Sequence, residues 1–326
     1  MKRSKAPALD PTYGDPHRKA LIRALEKRRW KFARELLTMA ADPDEMAFLM
    51  EAVGGVDGIQ DWIGEWIDAE PDSTLPVLVA GCHAVHWAWE ARGGKRAKYT
   101  TAEQFKGFHE RLHYAESLLE KVLAREPDNV TARAWLVTSA RGLGVGAAEA
   151  RERFEAVTRL HPGHVVAHEQ RLQYLCAKWS GSHEEMFDFA RGAAAAAGPY
   201  SLLHELVAVA HFERWEATDL EDGNTYFDSD EVRAELLAAA ESSIFHPDYV
   251  PAGPGWAPRL AIFALTFELA EEFDAAAHAF ALLDGMVTEW PWQVLGDPVE
   301  KFTASRDWVA TNRGAACSER ELPRAR

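Results

Sequence analysis

Cysteine is scarce in this chain. Cys82, Cys176 and Cys317 are its three thiols, and no two of them are close in sequence. An odd count without a CxxC pair supports neither a disulfide framework nor a zinc knuckle. Long apolar runs are lacking as well. The longest candidate, Leu202 to Phe212, is interrupted by His204, Glu205 and His211, and no run approaches the roughly 18 residues that a spanning helix needs. The N-terminus, Met1-Lys2-Arg3-Ser4-Lys5-Ala6-Pro7, has no apolar segment after its basic start, so it does not read as a secretory signal. The expected location is the cytoplasm, with no membrane partner.

Positive charge is also in deficit. The 36 Lys and Arg residues face 51 Asp and Glu, a formal net charge of −15. A negative surface repels phosphate backbones, so nucleic acid is not an expected partner. One segment runs against the trend: Arg18, Lys19, Arg23, Lys27, Arg28, Arg29, Lys31 and Arg34 are accompanied by a single acid, Glu26. It reads as the solvated outer face of a first helical hairpin, the alternative being a docking patch for an acidic partner.

What is present is helix-forming sequence. Ala, Leu, Glu and Arg abound, and alternating β-branched runs are absent. Prolines stand at punctuation points, Pro43, Pro71, Pro127, Pro162, Pro199, Pro247 and Pro291, where helices are expected to end. An internal repeat accompanies them. Ala115, Leu119, Val122 and Pro127 are spaced at offsets 4, 7 and 12; Ala150, Phe154, Val157 and Pro162 repeat the spacing, as do Ala279, Leu283, Met286 and Pro291. Ile59, Ile63, Trp66 and Pro71 do so with a larger first residue. A small residue admits a neighbouring helix, the positions at +4 and +7 share its face, and proline closes the turn. Pro127 and Pro162 are 35 residues apart, against about 34 for a tetratricopeptide unit. The expected fold is all-α, a TPR-like α-solenoid of stacked antiparallel hairpins. Residues 1–15 read as a flexible N-terminal segment, 16–312 as a single solenoid domain and 313–326 as a flexible tail. Thr101 with Gln104 and Ser182 with Glu185 have capping-box spacing.

Three segments, Ala88-Trp89-Glu90-Ala91-Arg92-Gly93, Tyr174 through Met186 with its Lys178-Trp179-Ser180-Gly181-Ser182 element, and Ala210-His211-Phe212-Glu213-Arg214-Trp215, resemble a TPR-like group of bacterial proteins of unknown function, the DUF4034-type proteins. The resemblance covers roughly residues 75 to 245. It implies a helical fold and a shared surface, and no reaction. Ala177 and Ser180 stand where proline and glycine are more usual.

Candidate functional residues lie on two helices and a turn. On the helix expected from about Leu75 to Ala91, His83, His86, Trp87 and Glu90 form one stripe at i, i+3, i+4 and i+7, followed by Arg92. A stripe mixing imidazole, indole and carboxylate is poor core and suits a groove. On the helix expected from about Tyr200 to Trp215, His204, Ala208, His211 and Trp215 share a face, with Glu213 nearby. Lys178 and Trp179 are expected at the end of another helix, before the Ser180-Gly181-Ser182 turn. These elements are expected to line one concave surface of the kind that solenoids offer to partners. Trp66 and Trp135 read as core.

Catalytic signatures are missing. No GxSxG, Walker A or GxGxxG pattern stands where it would need to be, and Gly142 to Gly146 joins two helices rather than a strand to a helix. Ser182 reads as a helix cap and Cys176 as a buried thiol. His109 and His113 have ligand spacing without HExxH or a third ligand, so no metal and no cofactor are expected. The leading expectation is a non-catalytic interaction scaffold that takes a peptide or protein partner in a concave groove, with Trp87, Trp179 and Trp215 as anchors and Lys178, Arg92 or Arg111 holding a carboxylate. The alternative is an enzyme or small-molecule binder using a pocket lined by His, Glu and Trp.

Overall fold

The computed structural model describes residues 6–94, 99–218 and 225–313. Among them fifteen α-helices and one pair of two-residue strands carry the regular structure, so the fold is all-α. The chain divides into two compact units, Gly14–Ser182 and a second made of Met1–Tyr13 with His183–Arg326.

The Gly14–Ser182 unit holds α1 (Pro16–Glu26), α2 (Trp30–Thr38), α3 (Pro43–Gly54), a 3-10 turn (Ile59–Asp61), α4 (Ile63–Ala69), α5 (Leu75–Arg92), α6 (Ala102–Arg125), α7 (Val130–Leu143), α8 (Ala147–Thr158) and α9 (Val165–Leu175). Several helices announce their starts. Asp15 and Asp42 accept backbone N–H groups at the mouths of α1 and α3, each followed by proline at the first helical position. Pro43 therefore opens a helix instead of ending one. Thr101 and Gln104 form the complete reciprocal capping box of α6.

Helix α5 lies against α3, α4, α6 and α7. It is buried on most of its circumference, from Leu78 through Ala88. Two glycines let its neighbours approach. An added Cβ at Gly81 would stand 2.8 Å from Leu119 Cδ2, and one at Gly54 of α3 would fall inside the His86 ring. That burial drives the His86 imidazole down to about 4, with His83 and Arg18 adding unfavourable positive charge.

The four repeated motifs fare unequally. Ala115, Leu119 and Val122 are fully buried within α6, and Ala150 and Val157 are buried within α8. Ile59, however, sits in the 3-10 turn, and Met286 of the last copy lies in a strand. The spacing recurs there without a continuous helix beneath it, because apolar positions three and four apart also suit a tight turn that points inward.

A polar staple ties α3 to the connection before α9. Asp44 Oδ2 lies 2.8 Å from His161 Nε2, and Asp44 Oδ1 accepts Val165 N–H at 2.9 Å. His164, fully buried, caps α9 by accepting Ala167 N–H at Nδ1. An accepting Nδ1 must be unprotonated. Burial holds His164 down at about 4, Asp44 opposing and the neighbouring histidines reinforcing the effect.

The basic N-terminal segment is mostly a solvated face: Lys19, Arg23, Lys27, Arg28, Arg29 and Lys31 are exposed. Arg18 departs from it. Its guanidinium is buried, donates to Phe48 O at 2.6 Å and lies 4.3 Å from the Phe48 ring centroid.

The second unit holds β1 (Ala8–Leu9), α10 (His183–Ala196), α11 (Glu205–Glu216), α12 (Asp230–Glu241), α13 (Trp256–Leu269), α14 (Phe273–Leu283), β2 (Met286–Val287) and α15 (Pro298–Asn312). The strands run parallel, Ala8 opposite Met286 and Leu9 opposite Val287. Trp256 Nε1 donates to Tyr13 O at 3.3 Å. Phe280, Trp292 and Phe302 form a mutually packed aromatic trio. The ion pair Glu205–Arg259, 2.9 Å, is buried on both sides. Gly255, at φ 65°, leaves the space that the Arg259 guanidinium fills.

Two outcomes follow for stability. Gly54→Ala forces the His86 ring aside and should cost about 1–3 kcal/mol by overpacking. Gly64→Ala, on an open helical face with nothing within 4 Å, should be neutral or stabilising by up to about 1 kcal/mol; urea unfolding of the two variants separates them. The buried histidines set an acid limit. His86 and His164 have folded pKa values near 4, below the unfolded value of about 6.5. The unfolded chain therefore binds more protons between pH 6.5 and 4, and stability should fall as pH drops through that window, by up to about 1.4 kcal/mol per pH unit for each histidine. A urea midpoint that stays flat from pH 6.5 to 4.5 would contradict it.

Candidate functional site

Trp87 and Trp89 are two residues apart on α5, which turns them to different faces of the helix. Trp87 stacks under Arg111, whose Cζ is 3.7 Å from its ring centroid and whose Nη1 donates to Trp87 O at 2.8 Å. Trp89 instead shares a face with Arg92, three residues on. His83 turns toward the 3-10 turn, where its Nε2 lies 2.8 Å from Gln60 Oε1. Burial lowers its pKa, with a backbone hydrogen bond at Val53, Asp57 and Asp61 opposing. Glu90 is exposed at the outer edge; desolvation and Asp57 raise its carboxyl, Arg111 lowering it.

The Trp89 face is where a site takes shape. Trp179 meets Trp89 edge-on, centroids 5.6 Å apart and planes at 89°. Arg141, from α7, sets its Cζ 4.4 Å from the Trp89 centroid and 4.9 Å from that of Trp179. Arg92 Cζ lies 5.8 and 5.1 Å from the same two rings. Two guanidinium groups thus flank two perpendicular indoles, each near the electron-rich ring faces that favour cations. Arg92 is 7 % exposed and donates to Gly93 O at 3.1 Å. Arg141 Nη2 donates to Gln170 Oε1 at 3.1 Å. The indole N–H groups of Trp89 and Trp179 are buried, and neither has an acceptor among the described residues. A buried donor without a partner is costly.

The turn that presents Trp179 is built locally. Helix α9 stops at Leu175, earlier than the sequence suggests, so Lys178 and Trp179 belong to the turn. Trp179 N–H donates to Cys176 O and Ser180 N–H to Tyr174 O. Gly181 presses against the Leu175 carbonyl, leaving no room for a Cβ. Lys178 is exposed beside the half-buried Trp179, which opens this side of the cluster to solvent. Residues 95–98 of the glycine-bearing basic connection lie outside the described residues.

A second feature of the same unit is an open depression of about 580 Å³ over α7 and α8, lined by Arg133, Glu149, Glu152, Arg153 and Arg159 among others. Its central cation is held internally: Arg153 Nη1 is 2.5 Å from Glu116 Oε1 and Nη2 is 2.6 Å from Glu149 Oε1.

His211, Glu213 and Trp215 belong to the other unit, on α11, which begins at Glu205 after a 3-10 turn. Trp215 stacks on Phe212, and Glu213 is buried. His211, 2 % exposed, sits between two partners: Nδ1 is 2.7 Å from Tyr226 Oη, and Nε2 is 3.2 Å from Glu235 Oε2. Arg191 donates twice to Glu235, at 2.6 and 3.0 Å. The Arg191 and His211 hydrogen bonds hold the Glu235 carboxyl down at about 2. Residues 219–224 of the acidic connection lie outside the described residues.

Of the residues singled out from the sequence, the structure brings Arg92 and Trp179 into one cluster. It puts His83, His86, Trp87 and Glu90 around other faces of α5. Trp89 and Arg141 were not among the candidates. The i, i+3 pairing of Trp89 with Arg92 was the available signal for the first; nothing local marks Arg141, which is 49 residues from Arg92. Among the described residues no group of three or more His, Cys, Asp or Glu is placed to hold a metal ion, and no helix is long and apolar enough to cross a membrane.

No curated protein and no solved structure matches the chain. A family model does, over residues 8–147. That stretch includes Ala88–Gly93 and Arg141 and ends before Tyr174 and Ala210, so the matched region starts and finishes earlier than the quoted segments suggest. Residues 8–147 match the model of DUF4034, a domain of unknown function.

Proposed function

We propose that the Gly14–Ser182 unit is a non-catalytic, TPR-like interaction module of the cytoplasm, and that it recognises the carboxylates of an acidic peptide segment. The carrying observation is the cluster of Arg92 and Arg141 over Trp89 and Trp179, with two buried indole N–H groups that lack an acceptor among the described residues. Guanidinium groups match carboxylates in a planar, two-pronged geometry. Carboxylate oxygens accept from several donors at once, so one ligand group can accept from the indole N–H groups while lying beside the two guanidinium charges. The tryptophans add large, rigid contact area of the kind that dominates interface energetics. Arg92 and Trp179 take the grip and anchor roles expected from the sequence, and Trp89 and Arg141 join them. The contacts between helices consecutive in sequence are in keeping with solenoid stacking, and the buried thiols Cys82 and Cys176 suit a reducing compartment.

Calorimetric titration with a hexaglutamate peptide tests the reading. Binding to the intact protein should weaken at least about tenfold in Arg141→Lys, which keeps the charge and loses the planar fork. It should weaken again in Trp179→Phe, which keeps a ring and loses the N–H. Trp87→Phe should leave it unchanged. No measurable heat with hexaglutamate, or equal affinity in all variants, would refute the proposal.

A further inference from the structure

The relay on the second unit has a chemistry of its own. Glu235 is ionised over any ordinary pH, because its carboxyl is held at about 2. An ionised carboxylate accepts only, so the hydrogen at 3.2 Å belongs to His211 Nε2. In the neutral imidazole His211 Nδ1 then carries the lone pair and accepts the Tyr226 O–H at 2.7 Å. The order hydroxyl, imidazole, carboxylate is that of an activated nucleophile with a general base and an orienting anion. Arg191 fixes the carboxylate from behind, and Phe187 packs edge-on against the imidazole at 5.0 Å. The Tyr226 ring itself is half-buried and retains a path to solvent.

The environment makes a free phenolate scarce. Burial pushes Tyr226 up to about 12, Arg214 opposing and Glu235 adding. Any reactivity of this hydroxyl must run through proton transfer to His211.

We propose that Tyr226 is an acyl-accepting nucleophile, with His211 as its general base and Glu235 as the residue that orients the imidazole, acting on carboxylic esters. The phenolic oxygen forms a bond to the ester carbonyl carbon as its proton passes to His211 Nδ1. Collapse of the tetrahedral intermediate breaks the ester C–O bond, and the imidazolium returns its proton to the leaving alkoxide. The products are a tyrosyl ester and an alcohol; water, activated by the same imidazole, then releases the acid and restores Tyr226. Arg214, whose Cζ is 5.9 Å from the Tyr226 ring centroid, brings positive charge near the phenol.

The test is p-nitrophenyl acetate on the full chain, read by p-nitrophenolate release and by mass-spectrometric mapping of acetylated residues. Two exposed tyrosines, Tyr114 and Tyr200, serve as internal references in the same sample. Tyr226 should be acetylated at least about tenfold faster than either, a gain within the range of general-base assistance. His211→Gln should reduce that rate to the reference level, and Glu235→Gln should lower it partway; far-ultraviolet circular dichroism checks that both variants remain folded. Acetylation of Tyr226 no faster than Tyr114 and Tyr200 in the unaltered protein would overturn the proposal whatever the variants do. Acetate found on His211 in place of Tyr226 would overturn it as well.

Discussion

Helix α5 is the constraint around which the Gly14–Ser182 unit is organised. Four other helices pack on it, so it has almost no face left for water. A helix in that position is filled with small and apolar residues, and its sequence obliges: Ala80, Gly81, Cys82, Ala84, Val85 and Ala88 are all buried. A polar side chain that remains is favoured by a partner inside the protein, since an unmet donor or charge in such surroundings is costly. His83 reaches Gln60, Trp87 shares its surface with Arg111, and Arg92 emerges at the C-terminal end among aromatic rings. The candidate site lies where the packing of α5 gives out.

This also explains what could be read from the sequence. The helices were legible because alanine, leucine and charged residues dominate and prolines mark the connections. The Thr101 capping box and the Gly142–Gly146 turn were legible because their chemistry is local. A stripe on α5 was legible too, but only as a stripe. The periodicity that groups His83, His86, Trp87 and Glu90 says which residues share a side of a cylinder, and nothing about which neighbour covers that side. With neighbours all round, each position met a different helix. Trp89 and Arg92, read as part of a family-like segment, turned out to form the face that meets Trp179 and Arg141.

The prolines give a related lesson. Pro127 and Pro162 follow helices, whereas Pro43 begins one behind Asp42. Proline excludes the helix interior and is welcome in its first turn, so position alone cannot tell an end from a start. The preceding aspartate resolves it, since its side chain accepts from Glu45 N–H as a cap. The repeated spacing of Ile59 and Met286 misled for a similar reason: apolar residues in a tight turn or a short strand can imitate a stretch of helix.

The parallel pairing of Ala8–Leu9 with Met286–Val287 has a bearing on how the protein is made. The two partners are separated by nearly the whole chain, and the Gly14–Ser182 unit is spelled out between them. At elongation rates of about 5–20 residues per second, roughly 15–60 s pass between the appearance of the first strand and that of the second. Throughout that interval the first strand has exposed edges and no mate. Its brevity, two residues, and the acidic Asp10 beside it suit the wait, for a short strand with a charged flank is a poor template for association with a stranger. The unit that owns the Ala8–Leu9 strand therefore closes that pairing only after the Gly14–Ser182 unit has been synthesised.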